Sequence, residues 1–443
     1  MSATLATPGA EHTEKVGNMK FKRLAQAAAI TAVSAVALTA CGGDGGSEGE
    51  GGDVSLRFTW WGSDARAQIT EEIIAEFEAE NPNIDIQPEY SDWTGYWDKL
   101  ATQTAANDAP DIIQMDAQYL REYADRGALL DLSGVDVSQI EDQVVANGRT
   151  EEGLFGITTG INTPIILANP DVFAEAGVEM PDDTTWTWDD FSSIAQEISE
   201  SGDGIYGSGA PAEPLNIQVW LRQQGTNLTT EDGQLGVTEA QAEEYLQHLL
   251  DLSQSGAYPQ ASAIAEDQTA AVDQSLVGTG AAAMGTYWSN QLSAIGGASG
   301  ADVVPLRYPS QTGDSADAGL WYKASMMLSA SAGSDHPEEA QQFIDYFVNN
   351  VDAGLIGMTE RGLPANTEVR AAVAEELEGT DKASAEFVEE VEPELGEAEP
   401  VPPVGFSEMQ DILGRYELEV YFERQSPADA AKSMIAELEA VLG

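Results

Sequence analysis

From Val54 to Arg126 the chain alternates between β-prone and amphipathic helical segments, and this alternation admits only a small set of folds. Val54-Ser55-Leu56-Arg57-Phe58-Thr59-Trp60-Trp61 is β-branched and aromatic and stops at Gly62. Ser63 is placed to cap a following helix with Asp64 in its first turn. Ile69, Ile73, Ile74 and Phe77 then recur on one helical face until Asn81-Pro82. Ile84-Asp85-Ile86 opens a second strand, and Trp97, Leu100 and Thr104 fall at helical spacing. Asp111-Ile112-Ile113-Gln114-Met115 reads as a short buried strand and Tyr119–Arg126 as a helix. Strands alternating with helices predict an α/β fold whose mainly parallel sheet is covered on both faces.

Further along, Gly156–Asn169 is apolar and β-prone, and Gly160 and Pro164 punctuate it, which suits a crossing between domains. Helices are expected over residues 186–200, over Thr238–Leu252, from Pro337 with Ala340, Phe343, Ile344 and Phe347, and from Ser426-Pro427 with Ile435, Leu438 and Leu442. Residues 371–400 are rich in Glu and Pro and weakly periodic, and read as a mobile acidic loop. The length from Val54 onward exceeds one ordinary core, so two domains are expected.

Ahead of this body, Lys20, Lys22 and Arg23 precede an apolar run from Leu24 to Leu38. Leu38-Thr39-Ala40-Cys41 follows, and then a stretch of Gly, Ser and acid to Asp53. A basic start, a short apolar core and small residues before a cut site describe a secretory signal. Cys41, the only cysteine, stands where a bacterial lipoprotein signal is cut and lipidated. Residues 1–40 are therefore expected to be a signal peptide and 41–53 a flexible acylated tether, with the body on the extracellular face of the membrane. A membrane-spanning helix needs about 20 apolar residues, and Leu24–Ala40 falls short. Residues 1–18 match no targeting element, whereas Met19-Lys20 makes a normal signal start, which marks 1–18 as a candidate over-extension of the reading frame.

The whole chain has 19 basic and 76 acidic residues. Removing residues 1–40, with four basic and two acidic side chains, leaves 15 basic and 74 acidic. Nucleic-acid partners and broad adhesion to anionic lipid both need basic patches, so this balance argues against them. Two readings of the acidity stand side by side: a solvated surface that keeps the protein soluble, and adaptation to high salt, where self-repulsion is screened.

Nucleophilic or metal catalysis finds little support. His248 and His336 are the body's two histidines, and both fall among charged residues in helical contexts that suggest solvated positions. Cys-x-x-Cys, His-Glu-x-x-His and Gly-x-x-x-x-Gly-Lys are all missing from the sequence. No cofactor is expected. The tryptophans say more. Trp60-Trp61-Gly62-Ser63-Asp64, Asp92-Trp93-Thr94-Gly95 and Trp288-Ser289-Asn290-Gln291 place indoles beside small polar residues at expected strand ends or loops. Ligands of open α/β sheets bind in crevices at the carboxyl ends of strands. An indole covers the C–H face of a sugar while Asp, Asn, Gln and Arg reach its hydroxyls. The competing reading for each tryptophan is simple core packing, which fits Trp97 and Trp220 best.

Taken together, the segments resemble the sugar-binding lipoproteins of bacterial ABC importers, the family-1 extracellular solute-binding proteins related to maltose-binding protein. The resemblance rests on Phe58-Thr59-Trp60-Trp61-Gly62-Ser63-Asp64-Ala65-Arg66, Trp93–Gln103, Ala109–Asp116, Gly127–Leu132, Gly160–Pro164, Trp186–Asp190, Gly280–Met284 leading to Trp288–Leu292, His336–Ala340 and Arg361–Asn366. It implies a periplasmic-binding-protein-like α/β fold of two lobes joined by a multi-strand hinge. Residues 54–162 and 305–368 would form one lobe, and 163–304 and 369–443 the other. It implies a monomer that binds a sugar or oligosaccharide between the lobes, closes on it and is read by ABC permease subunits, with no catalysis. The implied ligand contacts are Trp61, Ser63, Asp64, Arg66, Trp93 and Asp116 on one side, Trp288 and Asn290 on the other, and Trp321 and Arg361 as looser matches. After Asp111-Ile112-Ile113, maltose-binding proteins carry aromatic and charged residues, but this chain has Gln114-Met115-Asp116-Ala117-Gln118, which favours a sugar other than maltose. The alternatives are a lipid-anchored glycoside hydrolase or lyase, and a binding protein for peptides or polyamines.

Overall fold

The computed structural model describes residues 53–202, 204–211 and 215–442. The signal peptide, Cys41 and nearly all of the tether expected from the sequence lie outside the described residues. In chain order the strands are β1 (Val54–Trp61), β2 (Ile84–Ser91), β3 (Ile112–Met115), the hairpin β4 (Arg149–Thr150) and β5 (Gly153–Leu154), and β6 (Ile157–Asn162). The remainder are β7 (Pro164–Ala168), β8 (Tyr206–Ser208), β9 (Ala282–Trp288), β10 (Val304–Leu306), β11 (Lys323–Ala330) and β12 (Leu363–Pro364).

Two larger sheets result, ordered β12-β6-β11-β3-β1-β2 and β10-β7-β9-β8. The expected α/β class holds, but the sheets are mixed and not mainly parallel. β1 runs parallel to β2 and β3, whereas β11 runs antiparallel to β3 and to β6. The reason is connectivity. β6 leaves the first sheet and continues into β7 of the second through Thr163 alone, and β11 returns to the first sheet after β10 of the second. An outgoing and a returning strand laid side by side must oppose one another. Pairing of Pro164 with Trp288 sets the end of β9 against this crossing.

Each sheet has its own core. Leu56, Phe58, Trp60, Phe77, Phe343 and Ile344 pack around the first. Ile165, Leu167, Phe191, Leu246, Met284 and Leu438 pack around the second. A third, aromatic cluster gathers Trp61, Tyr96, Trp97, Leu120 and Val401 at one end of the first sheet. Side chains stop the helix ends from fraying. Ser63 Oγ accepts from Arg66 N–H at 3.2 Å, and Thr187 and Thr238 form capping boxes with Asp190 and Gln241.

Two expectations need correction. Residues 371–400 are not a loop: helices Thr367–Glu376 and Gly379–Val391 occupy most of them, burying Val369, Val373, Phe387, Val388 and Val391. The apolar residues do recur at helical intervals, but the glutamates between them dilute the pattern. His248 is not a solvated surface group either. Its ring stacks on Trp220 at 4.6 Å and meets Trp188 edge-on at 5.0 Å. Burial pushes its pKa down to about 4, so it packs as a neutral ring.

Gly160 on the crossing strand β6 has a steric role: a Cβ there would collide with the backbone carbonyl of Arg361. Gly160→Ala is expected to cost about 1–3 kcal/mol of stability by forcing β6 and β12 apart. Urea unfolding of the variant checks this, and an unchanged midpoint would refute it.

Candidate ligand cleft

β2 and β3 run parallel on either side of β1, and each hands the chain to a helix capped by an aspartate. Asp92 accepts from Gly95 N–H at 2.9 Å and opens helix Trp93–Ala105. Asp116 accepts from Gln118 N–H at 3.0 Å and opens helix Ala117–Ala124. Trp93 therefore stands at a helix start, 39% exposed, edge-on to Trp61 at 5.0 Å and Trp97 at 5.5 Å.

The second half supplies most of the facing wall, and Lys323, at the start of β11 of the first sheet, completes it. Trp288 ends β9, and its backbone N–H donates to Gln291 Oε1 at 2.9 Å. Trp321 meets Trp288 edge-on at 5.8 Å. Lys323 Nζ lies 5.1 Å above the Trp288 ring, and the Arg222 guanidinium 4.7 Å above Trp321. Trp93, Asp116, Trp288, Trp321 and Lys323 line one cavity of about 370 Å³, with Asn147, Gln218 and Glu399 on its walls. An adjoining cavity of about 800 Å³ shares Glu399, Pro400 and Val401 and adds Arg121, Arg149 and Arg222. At its edge Arg121 Nη2 donates to the Glu231 carbonyl at 3.2 Å.

A strap before helix Phe406–Tyr421 ties the halves together across this cleft. Gly396 N–H donates to the Leu320 carbonyl at 2.9 Å, and Gln218 Nε2 to Glu399 Oε2 at 2.8 Å. Five residues after Gly396, Val401 is buried in the aromatic cluster of the first half. Burial pushes the Glu399 carboxyl up to about 7, against the pull of Arg222 and Lys323. Trp93 presents the exposed indole of this cavity, Trp288 and Trp321 being 8% and 1% exposed beneath Lys323 and Arg222. One open aromatic face with amides and ionisable groups around it can hold a flat, hydroxyl-rimmed ligand.

A family-wide sequence pattern, described as bacterial extracellular solute-binding protein, matches residues 61–353. The chain belongs to that family. This solute-binding protein is 24% identical to the putative ABC transporter periplasmic-binding protein YcjN of Escherichia coli K12, over 79% of its own chain and 82% of the relative. It spans only about two-fifths of the first curated relatives, 39% in the case of a Streptomyces antibioticus lipoprotein at 28% identity. Among solved structures, a family-1 solute-binding protein of Alicyclobacillus acidocaldarius superposes with a TM-score of 0.71 at 25% identity, covering 88% of this chain and 99% of the other. A periplasmic oligogalacturonide binding protein from Yersinia enterocolitica shares the fold, with a TM-score of 0.72 at 22% identity over 88% of this chain and all of the other.

Of the residues singled out in the sequence, the fold of this solute-binding protein brings Trp93, Asp116, Trp288 and Trp321 together. Six others do not line their cavity. Trp61 packs beneath Trp93 and is 8% exposed. Ser63 is spent as a helix cap, and Asp64 Oδ1 accepts from the Tyr90 hydroxyl at 3.2 Å. Arg66 donates to Glu360 Oε1 at 2.9 Å and to the Trp61 carbonyl at 3.1 Å. Arg361 is buried beneath the strand ends, donating to Gln114 Oε1 at 2.9 Å and Thr70 Oγ1 at 2.8 Å. Asn290 lines a small separate cavity with Asn162 and Asp381 beside the β6–β7 crossing. Sequence reasoning missed Asn147, Gln218, Lys323 and Glu399. For Lys323 a signal existed: it is one of four lysines in the body and directly follows Trp321-Tyr322.

Proposed function

We propose that this solute-binding protein captures a sugar or oligosaccharide outside the membrane and delivers it to ABC permease subunits by closing two lobes around it. In this reading it acts as a monomer held to the membrane by acyl chains on Cys41, and it makes or breaks no bond. The lobes are taken as residues 54–162 with 305–368, and 163–304 with 369–443, except that Leu306, Tyr308 and Trp321 pack in the second core. The observation that carries the reading is the meeting of Trp93 and Asp116, which follow strands of the first sheet, with Trp288 at the end of β9 of the second sheet and Trp321 from the second core, in one cavity. Its volume of about 370 Å³ lies in the range of small-molecule sites. The names of the Escherichia coli and Yersinia relatives, an ABC-transporter binding protein and an oligogalacturonide binder, agree with it.

Thermal shift of residues 54–443 against mono- and oligosaccharides tests the proposal. A bound sugar at about 100 times its Kd should stabilise the protein by about 2.7 kcal/mol. Trp288→Ala is expected to weaken that sugar by about 30-fold or more, as loss of a central aromatic anchor does. A full-size shift in Trp288→Ala would remove Trp288 from the site, and no shift with any sugar would end the sugar reading.

A further inference from the structure

The body carries 15 basic residues among 74 acids, so a cation without a carboxylate partner is unexpected anywhere on it. Nine of the fifteen do form ion pairs: Arg57, Arg66, Lys99, Arg126, Arg307, Arg370, Lys382, Arg415 and Arg424. Among the described residues, six form none. Arg361 is buried under the first sheet, and Lys432 lies on the last helix. The other four, Arg121, Arg149, Arg222 and Lys323, all line the cleft. Unpaired cations are thus concentrated where a ligand would sit.

Lys323 alone of them lines the smaller cavity with Trp93, Trp288 and Trp321. Its ammonium lies over Trp288, and no carboxylate among the described residues comes within ion-pair distance. Two acids share its cavity, and neither cancels it. One oxygen of Asp116 is engaged as a helix cap. Glu399 is held by Gln218, and burial pushes its carboxyl up to about 7, so near neutral pH much of it carries a proton. Glu151, Glu231, Asp317 and Glu397 on the outer cavity are exposed, where water and salt screen them. Arg222 spends its hydrogen bonds on neutral acceptors, the carbonyls of Gly319 and Glu397 and Asn227 Oδ1.

We infer that the cleft selects a sugar carrying an anionic substituent, a carboxylate, sulfate or phosphate ester, and that Lys323 receives it above the Trp288 face. This rests on the sugar reading of the preceding subsection and narrows it. An exposed indole, Trp93, sharing one cavity with the Lys323 ammonium suits an acidic sugar, whose ring packs on the indole while its anion meets the cation in a half-buried site. A neutral sugar would leave that ammonium uncompensated.

Calorimetric titration of the full body with neutral disaccharides and with their uronic-acid, sulfated and phosphorylated counterparts decides the matter. At least one acidic counterpart should bind about tenfold tighter or more than its neutral parent, a lead of the size that close charge pairs confer. That lead should shrink between about 50 mM and 500 mM salt, and the arm that shows it identifies the anion. Lys323→Met should bring the acid-to-neutral ratio near one, while Lys323→Arg keeps it, which separates lost charge from lost folding. Neutral parents binding as tightly as every acidic counterpart would overturn the inference and leave the sugar reading intact. An undiminished acidic lead in Lys323→Met would overturn the role of Lys323. If no sugar of either kind binds, the sugar reading falls and this inference with it.

Discussion

Arg361→Ala is expected to destabilise the protein by about 3–5 kcal/mol, the combined cost of a core cavity and of stranded polar partners. The guanidinium lies 5.2 Å above the Phe347 ring and donates to Gln114 and Thr70. Gln114 in turn donates to the Trp61 carbonyl at 3.2 Å, and Arg66 donates to the same carbonyl. Arg361 thereby holds up the end of β1 from beneath. Burial holds its pKa down to about 9, still protonated at neutral pH. Alanine would leave Gln114 Oε1 and Thr70 Oγ1 without this donor and open a void. Arg361→Met fills most of the volume without a buried charge, so its loss should be clearly smaller. Denaturant unfolding of the two variants is the check. Arg361→Ala that unfolds like the parent yet no longer binds ligand would return Arg361 to the ligand site.

Glu417 is expected to make stability fall as pH rises. Its carboxyl is buried and accepts from the Tyr245 hydroxyl at 2.9 Å. Burial pushes it up to about 8 from an ordinary value of 4.5. Below 4.5 the group holds its proton both folded and unfolded, so it adds no pH dependence. Between 4.5 and about 8 the unfolded chain releases the proton and the folded chain keeps it, which favours unfolding increasingly; above that the penalty is constant. Glu417→Gln keeps an acceptor for Tyr245 and removes the ionisation. The variant should gain up to a few kcal/mol at about pH 8.5 and almost nothing at about pH 4.5. Melting curves across that range test it, and an equal gain at both ends would refute the mechanism.

The sequence showed the order of strands and helices in the first 75 residues of the body, because each helix there carries a clear apolar stripe and each strand a β-branched run. It did not show the sense of β6 and β11, which depends on where the chain goes between them and not on their residues. For the candidate cleft, Trp93, Asp116 and Trp288 could be picked out as indole or acidic residues at strand ends, but Trp61, with the same signature, packs beneath Trp93. Arg66 and Arg361 were not legible, since an arginine that supports a strand end and one that meets a ligand look alike in sequence. Glu399 was hidden for another reason. Its Pro-rich surroundings announce only an irregular segment, and nothing local says that Val401, two residues on, is anchored in an aromatic cluster of the opposite half.

Thr163, standing alone between β6 and β7, has a mechanical corollary. One residue offers two rotatable backbone bonds, enough to swivel but too few to slide. Any reorientation of the sheets must therefore pivot close to that point, and displacement grows with distance from it. Paired spin labels at positions 121 and 231 flank a cleft contact outside the strand crossing, so they should register larger distance changes than labels flanking the crossing itself.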